Sequence, residues 1–406
     1  MKKTLALVLI LAMSMMAFIP ALAEGEKITL YAKASDTSLE LYDEYIANAE
    51  AATGLEIEVL TMPSNTTDRL AKATMVLSSG DTSIDILTLD DEMLMQFKET
   101  GFLAPLQDEV YTEEVLSQFP QDYMKDLTMD AEGNIYSVPN YLNLMAMWVN
   151  QEMLDKAGLE SLKTKEDFLT FLKANSDGET FGFGGAWEKT YVYNDLANFV
   201  SLFGGDYYDW SNENSRAAVE FMKSMVTDGY TDIAQLADQY DQLLQKFLDG
   251  KIGCMFLWSD WTHKIVDSGK YGADKLHMTQ MPTFNADGAF VCSWHYVLNN
   301  ASENKEAAYK FLQWAASPDG ELEWLRVSGN APARTDVLNT EGLDFIGLSD
   351  IQGYLSHPLK SRPLAPQSME FIRAMGSLFQ QYVTDEIDLD TFCQRAQVEV
   401  DTYIIR

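Results

Sequence analysis

The chain has 406 residues, of which 29 are basic and 62 acidic, so its formal net charge is −33. An excess of negative charge of this size repels phosphate backbones and anionic lipids, which argues against nucleic acid or a membrane surface as a partner. Hydrophobic residues make up 47% and aromatic residues 12% of the chain, which excludes a disordered protein, and the length favours two lobes.

The first 23 residues have the pattern of a signal peptide. Two lysines precede an apolar run over 4–19, and the small residues at 21 and 23 are typical of a signal-peptidase site. The run is shorter than the ~20 apolar residues of a membrane-spanning helix. We therefore expect cleavage near Ala23 and an exported protein, in the periplasm or on the extracellular face of the cell membrane. Its mature start at Glu24 has no cysteine for lipid attachment.

The next part of the chain alternates between strand and helix patterns. The predicted elements are a strand over 27–33, a helix over 37–52, a strand over 55–61, a helix over 66–79 and a strand over 84–89. This order predicts an α/β fold with a mostly parallel sheet, in which ligands collect in loops beyond the carboxyl ends of the strands. The polar residues in such loops are Ser35 and Asp36 after the first strand, and Asp90, Asp91 and Glu92 after the third.

A proline interrupts the long apolar stretch over 135–150. Proline is awkward within a sheet, so we expect two strand pieces with a break at 139–140, as a chain that crosses between two lobes requires. The elements predicted next are helices over 164–174, 194–203, 214–227 and 233–248, and a strand over 252–258. Thr164 and Asp167 stand in the positions of a capping box.

A second apolar stretch, over 290–300, is expected to return the chain to the first lobe. Two helices follow. The first is predicted over 302–316 with Ser302 as candidate N-cap, and the second over 318–328, opened by Ser317 and Pro318. The remainder, to Arg406, is mainly helical.

The sequence lacks the usual motifs for metal binding and nucleophilic catalysis. The four histidines have no metal-ligand spacing, no GxSxG or glycine-rich phosphate loop occurs, and we expect no metal or cofactor. The cysteines leave two alternatives open: a disulfide between Cys254 and Cys292, or three buried thiols including Cys393. Paired carboxylates such as Asp90 and Asp91 could serve a glycosidase, but among 62 acidic residues a solvated loop is the ordinary explanation.

Several aromatic residues stand in loop-like or strand-end positions near polar residues. They are Tyr141, Trp187, Tyr191, Tyr193, Trp258, Trp261 and Trp294. Sugar rings stack on aromatic faces and need fixed polar partners for their hydroxyl groups, so this composition indicates a small-molecule pocket. Core packing is the alternative for each residue alone.

Six segments, taken in order, resemble a known family. They are LSSGDTSIDILTLDDEMLMQFKETGFLAPLQD (77–108), NIYSVPNYLNLMAMWVNQEMLDKAGL (134–159), FVSLFGGDYYD (199–209), FLDGKIGCMFLWSDW (247–261), AAYKFLQWAASPDGELEWLRVSGNAPARTDVL (307–338) and the helical C-terminus. The chain resembles the extracellular solute-binding proteins of family 1, the maltose-binding-protein-like sugar receptors of ABC importers.

The resemblance implies a two-lobed periplasmic-binding-protein fold of type II. Each lobe is then a mostly parallel sheet flanked by helices, and a hinge joins the lobes, with crossings near 138–141, 292–295 and 337–341. The predicted division is a signal peptide over 1–23, an N-terminal lobe over 24–139 and 295–338, and a C-terminal lobe over 140–294 and 339–406.

The resemblance also implies ligand contacts in the cleft between the lobes. Trp258 or Trp261 is expected to be a stacking platform and Asp260 a hydroxyl acceptor. The other expected contacts are Ser35, Asp36, Asp90, Asp91, Glu92, Asn140, Tyr141, Trp294 and Arg334, while Trp187 and Tyr193 come from the aromatic residues above. For Arg334 a structural salt bridge is the favoured alternative.

The resulting prediction is a monomeric carbohydrate receptor without catalytic activity. Its ligand is a di- or oligosaccharide, and its partners are the membrane permease subunits of an ABC importer. Two alternatives remain: a receptor for a cationic solute such as a polyamine, which the acidic loops and aromatic residues also favour, and a secreted glycosidase with paired carboxylates.

Overall fold

The computed structural model describes residues 26–287, 290–357 and 360–404, so the predicted signal peptide lies outside the described residues. The strands are β1 (Lys27–Ala32), β2 (Glu56–Thr61), β3 (Ile86–Asp90), β4 (Val138–Pro139), β5 (Asn143–Asn150), β6 (Phe181–Gly184), β7 (Ile252–Trp258), β8 (Leu276–Thr279), β9 (Phe290–Cys292), β10 (Trp294–Leu298) and β11 (Lys360–Ser361).

Helices separate most of these strands. The α-helices are α1 (Ala34–Thr37), α2 (Tyr42–Thr53), α3 (Thr66–Ser79), α4 (Asp91–Phe97), α5 (Glu113–Leu116), α6 (Gln121–Tyr123), α7 (Gln151–Ala157), α8 (Lys165–Ala174), α9 (Val192–Leu202), α10 (Glu213–Thr227), α11 (Tyr240–Leu248), α12 (Thr262–Asp267), α13 (Lys305–Ala315), α14 (Pro318–Ser328), α15 (Thr335–Leu338), α16 (Leu348–Leu355), α17 (Ser368–Val383) and α18 (Leu389–Tyr403). Shorter turns are a π-helical turn at Met124–Thr128 and 3-10 turns at Ile233–Ala237 and Ser259–Trp261.

The strands form two sheets. The first has the order β2-β1-β3-β10-β4, and the second has the order β11-β9-β5-β7-β6, with β8 also paired to β5. Strands β3 and β7 are buried along their whole length, as expected for strands whose sheet is covered on both faces. We call each sheet with the helices packed on it a lobe, so the molecule has a first and a second lobe.

Both sheets are mixed, but in each of them a single strand, β10 in the first and β5 in the second, runs against all the others, so the prediction of mostly parallel sheets is confirmed. In the first sheet β1 is parallel to β2 and β3, but β10 is antiparallel to β3 and β4. In the second sheet β5 is antiparallel to β7, β8 and β9, whereas β6 and β11 join in parallel. The reason lies in the connections between lobes: a strand that leaves a lobe and a strand that returns to it run in opposite directions.

Two of these connections run side by side. The chain leaves the first lobe between β4 and β5 and returns between β9 and β10, while β4 pairs with β10 and β5 with β9. The amide N of Asn140 donates to the carbonyl O of Trp294 at 2.7 Å, which ties the two connections together. The predicted break after Pro139 is confirmed, because β4 ends there and β5 begins at Asn143.

A third passage between the lobes lies between α15 and α16. The amide N of Thr335 in α15 donates to the carbonyl O of Gln118 in the first lobe at 2.7 Å. In α16 the hydroxyl of Tyr354 accepts from the amide N of Met147, on β5 of the second lobe, at 2.9 Å.

Elements with strong local signals have the predicted bounds. Helix α3 begins after Asn65, whose side chain accepts from the amide N of Asp68, and it ends at Gly80 in the left-handed region, with φ 67°. The capping box of Thr164 and Asp167 is confirmed on α8, and Ser317 caps α14 with proline in its first turn.

Tertiary contacts displaced two predicted helices. Helix α13 begins at Lys305 without a side-chain cap, because Ser302 donates instead to Oδ1 of Asp85 at 2.5 Å. The helix predicted over 233–248 is divided into a 3-10 turn and α11. The backbone between them is extended at Asp238, whose carbonyl O accepts from the amide N of Glu188 at 3.0 Å.

The three cysteines are free and buried, so the predicted alternative of a disulfide is wrong. Cys254 lies opposite Val149 and Cys292 opposite Asn143, on the two sides of β5. A rise of about 3.3 Å per residue separates these positions by roughly 20 Å along the strand, beyond the reach of an S–S bond. Burial raises the pKa of both thiols.

Candidate functional site

Polar residues from both lobes meet at the end of the connection after β4. Nζ of Lys33, just beyond β1, lies 3.7 Å from Oδ1 of Asp36 and donates to the hydroxyl of Tyr141 at 3.2 Å. That hydroxyl donates in turn to Oδ2 of Asp260, in the turn after β7, at 3.2 Å. The predicted residues Asp36, Tyr141 and Asp260 are therefore brought together by a lysine that the sequence did not single out. Ser35 is exposed beside Asp36.

Trp294 is the first residue of β10, and its indole contacts two cations. Nζ of Lys33 is 4.4 Å, and the guanidinium carbon of Arg69 4.8 Å, from its ring centroid. Arg69 also pairs with Oδ2 of Asp90 at 3.4 Å. We call Lys33, Asp36, Arg69, Asp90, Tyr141, Asp260 and Trp294 the Trp294 cluster.

A second group of contacts joins the lobes at Arg362, which sequence analysis also missed. Nη1 of Arg362 donates to Oε1 of Glu92 at 2.6 Å, and Nη2 lies 3.4 Å from Oδ2 of Asp91. The hydroxyl of Tyr193 donates to the same oxygen of Glu92 at 2.6 Å. The guanidinium carbon of Arg362 is 5.2 Å from the ring centroid of Trp258. We call Asp91, Glu92, Tyr193, Trp258 and Arg362 the Arg362 cluster.

The two tryptophans around Asp260 have different environments. Trp258 ends β7, is 6% exposed, and donates through Nε1 to the hydroxyl of Tyr240 at 2.9 Å. Trp261 is half-buried in the following turn, and its edge meets Tyr240 at a centroid distance of 5.9 Å. Trp261 is therefore the more exposed of the two, although Nζ of Lys264 lies 3.5 Å from its ring centroid and covers one face.

Asp91 and Asn140 are held within the connections between the lobes. Oδ1 of Asp91 accepts from the hydroxyl of Tyr123 at 2.9 Å and from the amide N of Ser293 at 3.2 Å, and it lies 2.9 Å from Nε2 of His295. Asp91 is fully buried and Asn140 is 4% exposed. Both residues therefore fix the geometry between the lobes more directly than they face the cleft.

Burial and neighbouring charge move the pKa values of the cleft carboxyls in different directions. Burial and the negative charge of Glu92 raise the pKa of Asp90 to about 7. Burial opposes the ionisation of Glu92, but Arg362 and Tyr193 outweigh it and lower the pKa of Glu92. Burial also raises the pKa of Asp36, against the opposite effect of Lys33. Both oxygens of Asp90 are occupied, since Oδ1 accepts from the amide N of Met93 and Oδ2 pairs with Arg69.

Five predicted contacts belong to neither cluster: Ser35, Asn140, Trp187, Trp261 and Arg334. Two of them, Trp187 and Arg334, have partners elsewhere in the fold. Trp187 is fully buried, donates through Nε1 to Oδ2 of Asp195 at 2.9 Å, and packs edge-on against Phe379. Arg334 is 6% exposed and forms two bonds to Asp336, at 2.9 and 2.7 Å. These contacts are those of core packing and of the structural salt bridge that was the favoured alternative for Arg334.

Within the described ranges, no group of histidine, cysteine, aspartate and glutamate side chains could hold a metal ion. No helix there is long and apolar enough to cross a membrane.

A family model for the bacterial extracellular solute-binding protein matches residues 44–344. A binding protein of Brucella abortus is 25% identical over 279 residues, which cover 66% of this chain and 66%, just under two thirds, of that relative. A maltooligosaccharide ABC transporter solute-binding lipoprotein of Streptococcus pneumoniae is 24% identical over 293 residues, covering 66% of this chain and 68% of the relative. Maltose-bound MalE3 of T. maritima superimposes with a TM-score of 0.79 at 19% identity, over 93% of this chain and 99% of that one, which shows a shared fold.

Proposed function

Because this chain belongs to the family of bacterial extracellular solute-binding proteins, we propose that it is the substrate-capturing receptor of an ABC importer and binds a carbohydrate between its lobes. Closure of the lobes buries the ligand, and the permease subunits in the membrane recognise the closed form. Closure is a shift of population toward the state with the larger number of ligand contacts. Export by the signal peptide, with cleavage near Ala23, belongs to this proposal.

One observation carries the substrate class: aromatic rings and hydroxyl-binding groups from both lobes converge. Trp261 is half-buried beside Asp260, and Lys33 of the first lobe lies over Trp294 and bonds to Tyr141, the partner of Asp260. An aromatic face with fixed acceptors and donors is what a sugar ring requires. The maltooligosaccharide relative and the maltose-bound neighbour support the same class.

The contacts of Trp294 disfavour a cationic solute. A polyamine would stack on the indole through its ammonium groups, but Lys33 and Arg69 already lie over that ring and would repel it. A neutral saccharide is not repelled by these two cations, and its hydroxyl oxygens can accept hydrogen bonds from them.

The opposed pKa shifts of Asp90 and Glu92 are the observation that favours a glycosidase as second candidate. We propose binding without catalysis, because Asp90 is engaged on both oxygens as a helix cap and as the partner of Arg69. A glycosidase would release shorter products from an oligosaccharide panel, whereas a receptor returns the panel unchanged.

Titration calorimetry with maltose, maltotriose, arabinooligosaccharides and spermidine tests the proposal. We expect micromolar binding of a saccharide and none of spermidine. Trp261→Ala should weaken that binding by about tenfold, since a stacked ring contributes ~1 kcal/mol beyond the area it buries. Trp314→Ala is the matched control, because Trp314 is also half-buried but packs on Phe311 and Tyr45. Binding of spermidine alone, or equal losses in both variants, would contradict the proposal.

A further inference from the structure

We propose that Arg362 is a positioning residue that holds the lobes closed, by pairing from the second lobe with Asp91 and Glu92 of the first. The effect on ligand affinity rests on the proposed receptor function. The effect on the shape of the protein without ligand is independent of that function, so the effect on shape and the effect on affinity can be tested separately.

The backbone places Arg362 directly beside the connection between the lobes. Strand β11 pairs in parallel with β9, with Lys360 opposite Phe290 and Ser361 opposite Val291. Arg362 follows β11 at once, and Pro363 restricts the backbone after it. Because β9 leads into the first lobe, Arg362 reaches that lobe from a strand anchored at the hinge.

The contacts of Arg362 cross from one lobe to the other. Its side chain is 8% exposed and binds two carboxylates of the first lobe, Glu92 at 2.6 Å and Asp91 at 3.4 Å. The planar guanidinium group suits such a double contact, which a lysine ammonium cannot reproduce. Nη1 also donates to the hydroxyl of Tyr193 at 2.5 Å, and Tyr193 itself bonds to Glu92.

One of the carboxylates is fixed to the connection between the lobes. Asp91 accepts from the amide N of Ser293, the residue between β9 and β10, and lies against His295 of β10. Because Arg362 follows a strand of the second sheet and both carboxylates begin α4 on the first, a change in the angle between the lobes alters the distance from Arg362 to Glu92. Without the guanidinium group the closed form holds Asp91, which is fully buried, and Glu92, which is 15% exposed, without the positive charge that pairs with both, whereas an open form gives Glu92 access to water. The closed form consequently depends on Arg362.

Small-angle X-ray scattering without ligand tests this role. We expect Arg362→Met to increase the radius of gyration, Arg362→Lys to give an intermediate value, and Glu92→Gln added to Arg362→Met to restore part of the compactness. Arg334→Met is the matched control, since Arg334 is equally buried and paired, but with Asp336 of the same lobe. It should lower Tm without changing the radius. An unchanged radius in Arg362→Met, with only a lower Tm, would overturn the proposal.

Titration with maltotriose provides the second measurement. We expect Arg362→Met to bind at least tenfold more weakly than the wild type and Arg334→Met to bind equally well. Equal affinities of the wild type and Arg362→Met would also overturn the role of Arg362. Failure of the wild type to bind any saccharide would count against the proposed function, and the scattering result would then decide on Arg362 alone.

Discussion

At the scale of single residues, position relative to the end of a strand decided how far two of the predicted aromatic side chains are buried. Trp258 and Trp261 are three positions apart, yet Trp258 is buried as the last residue of β7, and Trp261, in the next turn, is only half-buried. Trp187 is fully buried because its indole has an internal partner, Asp195. The roles predicted for the individual cleft residues stay predictions until binding is measured.

Asp195 makes the free energy of unfolding depend on pH, and a single substitution can isolate this contribution. Burial raises its pKa to about 8, above that of an exposed aspartate. A carboxyl whose pKa is raised on folding contributes stability that is complete below its unfolded pKa and is lost as pH rises through the folded value. We therefore expect Asp195→Asn to stabilise the protein at pH 9 by about 1–3 kcal/mol relative to wild type and to differ little at pH 4. Urea unfolding across this range measures the difference.

Asp177→Asn is the control for this measurement. Asp177 is exposed, and hydrogen bonds from Thr180 and Glu179 lower its pKa, so its contribution is already complete at pH 5 and constant above. We expect Asp177→Asn to lower the free energy of unfolding by the same amount at every pH between 5 and 9. Parallel pH profiles for wild type and Asp195→Asn would show that Asp195 is ionised when folded.

At the scale of elements, local signals set the bounds of some helices and tertiary contacts set those of others. Helix α14 has its predicted bounds because serine and proline start it and Gly329 ends it. Helix α13 begins later than predicted because Asp85, more than two hundred residues away, binds Ser302. Helix α17 contains a glycine that a tertiary contact also explains.

Gly376 allows α17 to contact the backbone near Lys189. A Cβ atom at this position would lie 1.9 Å from the carbonyl O of Lys189. We expect Gly376→Ala to lower the free energy of unfolding by about 2 kcal/mol or more, although alanine is the better helix former. Ser377→Ala, at the adjacent and partly exposed position, should change it by less than about 0.5 kcal/mol. Chemical denaturation that ranks the two variants in the opposite order would contradict this packing argument.

At the scale of the whole molecule, two sheets are joined by chain segments that run side by side in opposite directions. This arrangement makes the sheets mixed and places the ends of strands from both lobes around one cleft. The lobe boundaries predicted at 139/140, 294/295 and 338/339 stay predictions. The prediction assigns Trp294 to the C-terminal lobe, whereas the structure has it as the first residue of β10 in the first sheet.

The net charge of −33 also belongs to this scale. Repulsion within the folded state is screened by salt, since the Debye length falls from about 30 Å at 0.01 M to about 3 Å at 1 M. We expect Tm to rise by a few degrees over this range of sodium chloride, with the same rise in potassium chloride. A fall in Tm would show that surface ion pairs outweigh the general repulsion.

The sequence by itself determined the types of most elements, the helix caps, the polar residues at strand ends and the family. These features depend on neighbours within a few positions, or on a pattern of segments in order. Only the tertiary structure decided which charged groups meet in the cleft. Lys33, Arg69 and Arg362 have no local signal of function, and Arg362 is 270 residues from its partner Glu92. It also decided that Trp187 and Arg334 pack away from the cleft, because burial depends on which distant elements cover a side chain.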